Sequence, residues 1–99
     1  MVYFFQLLSG GPIKIGFTSS KSPKNRLANL QTAHAEQLIC LATTMSHEEK
    51  ALHERFAHLR LEGEWFTPSV SLLAWIQANA LVTEDGHKQL ARPSLWGEG

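Results

Sequence analysis

No aspartate or glutamate precedes Glu36, although the same stretch carries Lys14, Lys21, Lys24 and Arg26. Over all 99 residues, nine basic and nine acidic side chains cancel, so net charge neither excludes nor demands a nucleic-acid partner. The segregation is what informs, and it marks the N-terminal third as a positive platform. Cysteine is as scarce. Cys40 alone excludes an internal disulfide and fits a reducing compartment, and its neighbours Leu38, Ile39, Leu41 and Ala42 mark a buried, inert thiol rather than a nucleophile. His34, His47, His58 and His87 show no zinc spacing, so a structural zinc is not expected. No apolar run approaches the roughly 20 residues of a membrane span. Val2 to Leu8 has no positive leader and no cleavage-site pattern, so it reads as a strand, and the expected location is the cytoplasm with no membrane partner. Internal repeats and low-complexity segments are absent, and the length suits one small domain with one core.

The residues present give an order of elements. Val2-Tyr3-Phe4-Phe5-Gln6-Leu7-Leu8 is rich in strand formers, Ser9-Gly10-Gly11-Pro12 is a turn, and Ile13-Lys14-Ile15-Gly16-Phe17-Thr18 alternates as a second strand, which together make a hairpin. Ser22-Pro23 offers an N-cap followed by proline at the first helical position, opening a short helix through Leu27, Leu30 and Gln31 with Arg26 on the border of its apolar edge. Residues Gln37 to Thr44 read as a third strand, although an apolar run of this length also suits a buried helix. Ser46-x-x-Glu49 has the form of a capping box, and Leu52, Phe56 and Leu59 continue it, so a helix is expected from about 47 to 60. Gly63 breaks that pattern, Trp65-Phe66 is an aromatic pair for the core, and Thr67-Pro68 restarts a helix carrying Leu72, Leu73, Ile76 and Ala80. From about Thr83 the chain is polar and turn-rich. The expected division is a domain over residues 1–80 and a loosely ordered tail over 81–99.

Taken in order, Val2-Tyr3-Phe4, Lys14-Ile15-Gly16, Arg26-Leu27-Ala28-Asn29-Leu30-Gln31-Thr32, Leu52-His53-Glu54-Arg55-Phe56 and Gly63-Glu64-Trp65-Phe66 resemble the GIY-YIG nuclease superfamily, in particular a phage-associated branch with a Lys-Ile-Gly second motif. The likeness covers about residues 2 to 77. It implies an α+β fold, a small three-stranded antiparallel sheet flanked by helices, and an endonuclease that hydrolyses DNA phosphodiesters with a divalent cation, Mg²⁺ or Mn²⁺. This chain departs from the family at the second motif, where Lys14 stands in place of a tyrosine, and at the close of the catalytic segment, where Trp65-Phe66 stands in place of an asparagine.

The resemblance assigns Tyr3 to orient or deprotonate the attacking water; a phenol needs a nearby cation such as Lys14 to act as a base at neutral pH, and a half-buried strand tyrosine is the plain alternative. Arg26 suits the charge that grows on phosphoryl oxygens, since guanidinium forks onto paired oxygens and stays protonated; otherwise it is a solvated helix residue. Glu49 matches the family's metal-binding glutamate, and one carboxylate plus waters is a common way to hold Mg²⁺ beside a substrate phosphate, while the N3 place of a capping box is its structural alternative. His53, one turn on, shares a face with Glu49 and is either part of the site or a hydrogen-bonded packing residue. Glu64 is a reserve second acidic ligand. Lys14, Lys21, Lys24 and Arg26, with no acid nearby in the sequence, form the expected phosphate-contacting surface.

Two other readings compete with the nuclease. One is an inactive DNA-binding module of the same fold, silenced by the loss of the second-motif tyrosine. The other is an interaction protein that pairs through Leu72, Leu73, Trp75 and Ile76.

Overall fold

The structure, a computed structural model, describes residues 1–45 and 49–92. Strand β1 (Val2–Leu7) and strand β2 (Gly10–Phe17) form the expected hairpin, turned by Gly10 and Gly11 at φ of 98° and 91°. Helix α1 (Lys24–Gln31) follows, then strand β3 (Leu38–Thr44), helix α2 (Glu49–Arg55) and a single 3₁₀ turn over Ala57–Leu59. The chain continues through β4 (Arg60–Glu62), β5 (Trp65–Phe66), α3 (Val70–Asn79), β6 (Leu81–Val82) and α4 (Glu84–Leu90). The helix anticipated over 47–60 is therefore shorter and tightens at its end. Ser46, His47 and Glu48, and with them the capping box, lie outside the described residues.

The class is α+β, but the sheet has six strands and not three, in the order β4-β5-β2-β1-β3-β6 with antiparallel pairings. The three additional strands hold two or three residues each, too few to show a period-two pattern in sequence. Central β1 is buried along Val2–Gln6, which is why it reads as a continuous apolar run. A bulge on β3 shifts the register between Phe4 and Phe5, and it lets consecutive Leu41 and Ala42 join one core.

The sheet separates two clusters. Val2, Phe4, Ile13, Ile15, Ile39 and Leu41 face one way, beneath Leu52 and Phe56, the α3 residues Leu72, Leu73 and Ile76, and Leu90 of α4. Each such side chain contributes about 1.5–3 kcal/mol by leaving water. Leu72, Leu73 and Ile76 are fully buried and Trp75 packs against the cluster they belong to, so these residues of α3 are core residues. On the opposite face Tyr3, Phe5 and Leu38 pack under Leu27 and Leu30 of α1 with Cys40 and Trp65.

Residues 81–90 form β6 and α4, and both pack against the sheet. Thr83 caps α4 by accepting from the Gly86 N–H at 2.8 Å, and Gly86 lies so close to β3 that a Cβ there would stand 2.0 Å from the Leu41 carbonyl oxygen. Gln89, 2% exposed, donates to Gln6 Oε1 and to the Leu7 carbonyl, each at 3.0 Å, and Gln6, fully buried, donates to the Gly11 carbonyl. A satisfied buried amide pair of this kind fixes α4 to the hairpin. Arg92 adds hydrogen bonds to the Leu8 carbonyl and Gln89 Oε1. Thr83, Gly86, Gln89, Leu90 and Arg92 do this docking, a pattern too sparse to stand out in a polar sequence. The rest of the anticipated tail, 93–99, is outside the described residues. Among the described residues no helix is long and apolar enough to cross a membrane.

Candidate metal and phosphate site

Three consecutive residues of β2 gather the site, each in a different way. Lys14 lies on the Tyr3 face, paired in register with Phe5, and its Nζ is 3.1 Å from Glu64 Oε1 and 5.4 Å from the Trp65 ring centroid. Ile15 works through its backbone: its N–H donates to the Glu64 carbonyl at 3.0 Å, and its carbonyl accepts from His53 Nε2 at 2.9 Å. A carbonyl only accepts, so Nε2 carries the proton in this arrangement. Gly16 is opposite Tyr3, and a Cβ there would fall 2.4 Å from both Cζ and Oη of the tyrosine. The phenol therefore lies across the bare glycine backbone, a close approach that other residue types prevent.

Glu64 arrives by a turn. Gly63 adopts φ of 57°, left-handed backbone that favours glycine, and its carbonyl accepts from Arg60 Nε at 2.7 Å. This hairpin between β4 and β5 carries Glu64 to β2 and to α2, where Glu49 and His53 sit one helical turn apart with His53 Nε2 3.7 Å from Glu49 Oε2. One ligand atom from each of Glu49, His53 and Glu64 lies within 4.8 Å of the others, all half-buried. They open into a cleft of about 440 Å³ that Lys50, Glu54, Ala57 and Arg60 complete.

Charge and burial set how these groups titrate. Burial pushes the Glu49 carboxyl above its ordinary value of 4.5, and a hydrogen bond and the negative charge of Glu64 push the same way, against His53 and Lys14. Burial raises Glu64 as well, but the hydrogen bond with Glu49 and the ammonium of Lys14 outweigh it and hold Glu64 below 4.5. The two carboxyls titrate as a coupled pair. Tyr3, 2% exposed and stacked on Phe5 at 4.2 Å between centroids, is pushed above 10.0 by burial first and by Glu64, with Arg26 opposing and Glu49 adding. The charges of Arg26, Glu49 and Glu64 all reach this hydroxyl.

These findings sort the residues singled out in the sequence. Glu49 and His53 are brought together with Glu64, Lys14 joins them through its ion pair with Glu64, and Tyr3 lies against Gly16 of the same strand, while Lys21 and Lys24 line a separate cleft with Leu27, Leu38, Cys40 and Asp85. Lys14 is not unmatched, because Glu64 reaches it from 50 positions away in the chain. For the same reason Lys14 does not turn Tyr3 into a phenolate: the ammonium is spent on Glu64, and desolvation dominates at the phenol. Arg26 is exposed on α1, and among the described residues no carboxylate pairs with it. Sequence reasoning passed over Lys50 and Arg60, whose signal was present in the Glu49-Lys50 neighbour pair and in Arg60 three residues before Gly63. It also passed over the backbone of Ile15, which leaves no signal in residue type.

A donor set of two carboxylates and an imidazole suits a hard divalent cation through its oxygens. With Nε2 of His53 donating to the Ile15 carbonyl, Nδ1 is its free ring nitrogen, so Glu49, His53 and Glu64 all remain ligand candidates. Compared with known protein families, residues 1–82 match the T5orf172 domain. No curated protein and no solved structure matches the chain.

Proposed function

From a chain that belongs to the T5orf172 domain family, with this cluster at its edge, we propose a phosphodiesterase that cleaves DNA with a divalent cation, Mg²⁺ or Mn²⁺, in the manner of the GIY-YIG nucleases. The observation that carries the reading is the approach of Glu49, His53 and Glu64 to within 4.8 Å, on the strand where Tyr3 lies across Gly16. Glu49 and Glu64 supply the oxygen ligands. When bound, the cation supplies Lewis acidity and makes a coordinated water more acidic. Tyr3 remains a neutral phenol at pH 7 and acts by orienting a water or a phosphate oxygen rather than by removing a proton. Arg26, solvent-facing and without a carboxylate partner among the described residues, stabilises negative charge on the phosphoryl oxygens. Lys50 and Arg60 at the cleft provide phosphate contacts.

Binding without cleavage is the second reading, favoured by Lys14 in the second motif and by the raised phenol. A plasmid-nicking assay in Mg²⁺ and in Mn²⁺ separates the two. Cutting that is lost in Glu49→Ala and Arg26→Ala while DNA binding persists supports the enzyme. Salt-sensitive binding with no cutting in either metal overturns it in favour of the module.

A further inference from the structure

On the Tyr3 face of the sheet lies a third and largely apolar cleft of about 300 Å³, lined by Leu7, Pro12, His34, Leu61, Glu62 and Trp65. We infer that it receives one unpaired nucleobase of the bound strand, stacked on Trp65, so that the site acts on single-stranded or locally unpaired nucleic acid. The inference rests on the phosphodiesterase reading and names its substrate class.

Four observations carry it. Trp65 differs from its neighbour Phe66: the phenylalanine is fully buried in the main core, whereas the indole is half-buried and lines the cleft. His34 meets the Trp65 ring edge-on at 5.8 Å, which gives the cleft two aromatic rings in contact. Leu61, 58% exposed, stands on its wall. Finally, Lys14 links the cleft to the site, because its Nζ pairs with Glu64 at 3.1 Å and lies 5.4 Å from the indole centroid. An apolar slot with aromatic walls, next to a cation-bearing edge where a phosphate is expected, matches a base attached to its own backbone. Each stacked base contributes about 1–3 kcal/mol by alanine substitution, and every base has a face to stack, so the preference is for strandedness and not for sequence. A paired base is held within its duplex stack and cannot enter without being extruded.

The test is direct binding in EDTA, where cleavage plays no part. A fluorescein-labelled 12-mer is titrated single-stranded and as a duplex against the parent protein, Trp65→Leu, Trp65→Phe and His34→Leu, with thermal unfolding recorded for each. Tighter binding of the single strand by the parent is expected, with a loss of about 5- to 100-fold in Trp65→Leu, most of it restored in Trp65→Phe, and duplex affinity unchanged. If Trp65→Leu does not fold, the parent protein decides alone: an oligonucleotide carrying 2-aminopurine is expected to lose fluorescence on binding, as a stacked base does. Equal single-strand affinity in the folded Trp65→Leu protein, or no quenching of any 2-aminopurine position, overturns the base slot while leaving the cleavage reading intact. Absence of binding to both oligonucleotides overturns the slot and counts against the phosphodiesterase reading as well.

Discussion

One face of the sheet, carrying Val2, Phe4, Ile13, Ile15 and Leu41, is sealed by α2, α3 and α4, whereas the other, carrying Tyr3, Phe5 and Leu38, is roofed by α1 and leaves Lys14 and Trp65 at its margin. The same strands build both. Alternation along β2 sends Ile13 and Ile15 into the sealed core and Lys14 and Gly16 to the open face, so a single strand contributes to stability on one side and to chemistry on the other. Where β5 parts from β2, the backbone of Ile15 turns to Glu64 and His53 instead of to another strand. The difference teaches that the Glu49-His53-Glu64 cluster is a product of sheet edge geometry, with the core behind it as its support.

If this division holds, substitutions on the two faces have separable effects. Phe4→Ala, deep in the sealed face, is expected to cost about 3–5 kcal/mol, a large share of the stability of any small domain, read by denaturant unfolding. Arg26→Ala, on the exposed side of α1, is expected to leave unfolding within about 0.5 kcal/mol yet slow cleavage by about 10²–10³-fold. A reversal of these two outcomes would break the division outright. Gly16→Ala tests the seam between the faces. The added methyl collides with the Tyr3 ring, so a destabilisation of about 1–3 kcal/mol is expected together with a loss of cleavage that exceeds the loss of DNA binding.

Two finer predictions concern titration. Glu49 binds a cation only when deprotonated, and its carboxyl is held above 4.5, so Mn²⁺ affinity is expected to begin falling, as pH is lowered, before an ordinary glutamate protonates. Calorimetric titration across that range checks this, and a midpoint at or below 4.5 contradicts it. Cys40, on the open face but under α1, has its thiol pushed up to about 11 by burial. Alkylation of the folded protein at pH 8 is therefore expected to be slow compared with the unfolded chain, a small effect that reports whether α1 stays in place.

Much of the sealed face was legible in the sequence, because a core is made of repeated apolar positions. Strands β1 and β2 and the leucines of α2 and α3 follow from strand-forming residues, turn signals and apolar spacing, and β3 was read as a strand from an apolar run that also suits a buried helix. The strands β4, β5 and β6 and the docking of α4 were not, since elements of two or three residues and a single buried glutamine generate no period. In the site, Tyr3, Arg26, Glu49 and His53 were singled out through the likeness of ordered motifs. Glu64 stood only in reserve, and its pairing with Lys14 was missed, because that contact depends on where a left-handed turn at Gly63 aims the chain. The direction of the Tyr3 titration was also missed, since desolvation is set by packing and cannot be read from neighbouring letters.

Calorimetric titration of Mn²⁺ into the parent protein, Glu49→Gln and Glu64→Gln at neutral pH tests most directly whether the edge of β2 assembles a two-carboxylate cation site. A single site in the parent that is lost or weakened at least tenfold in each variant, with folding unchanged, is the predicted result. Binding that persists undiminished in both variants, or that is absent from the folded parent, would contradict it.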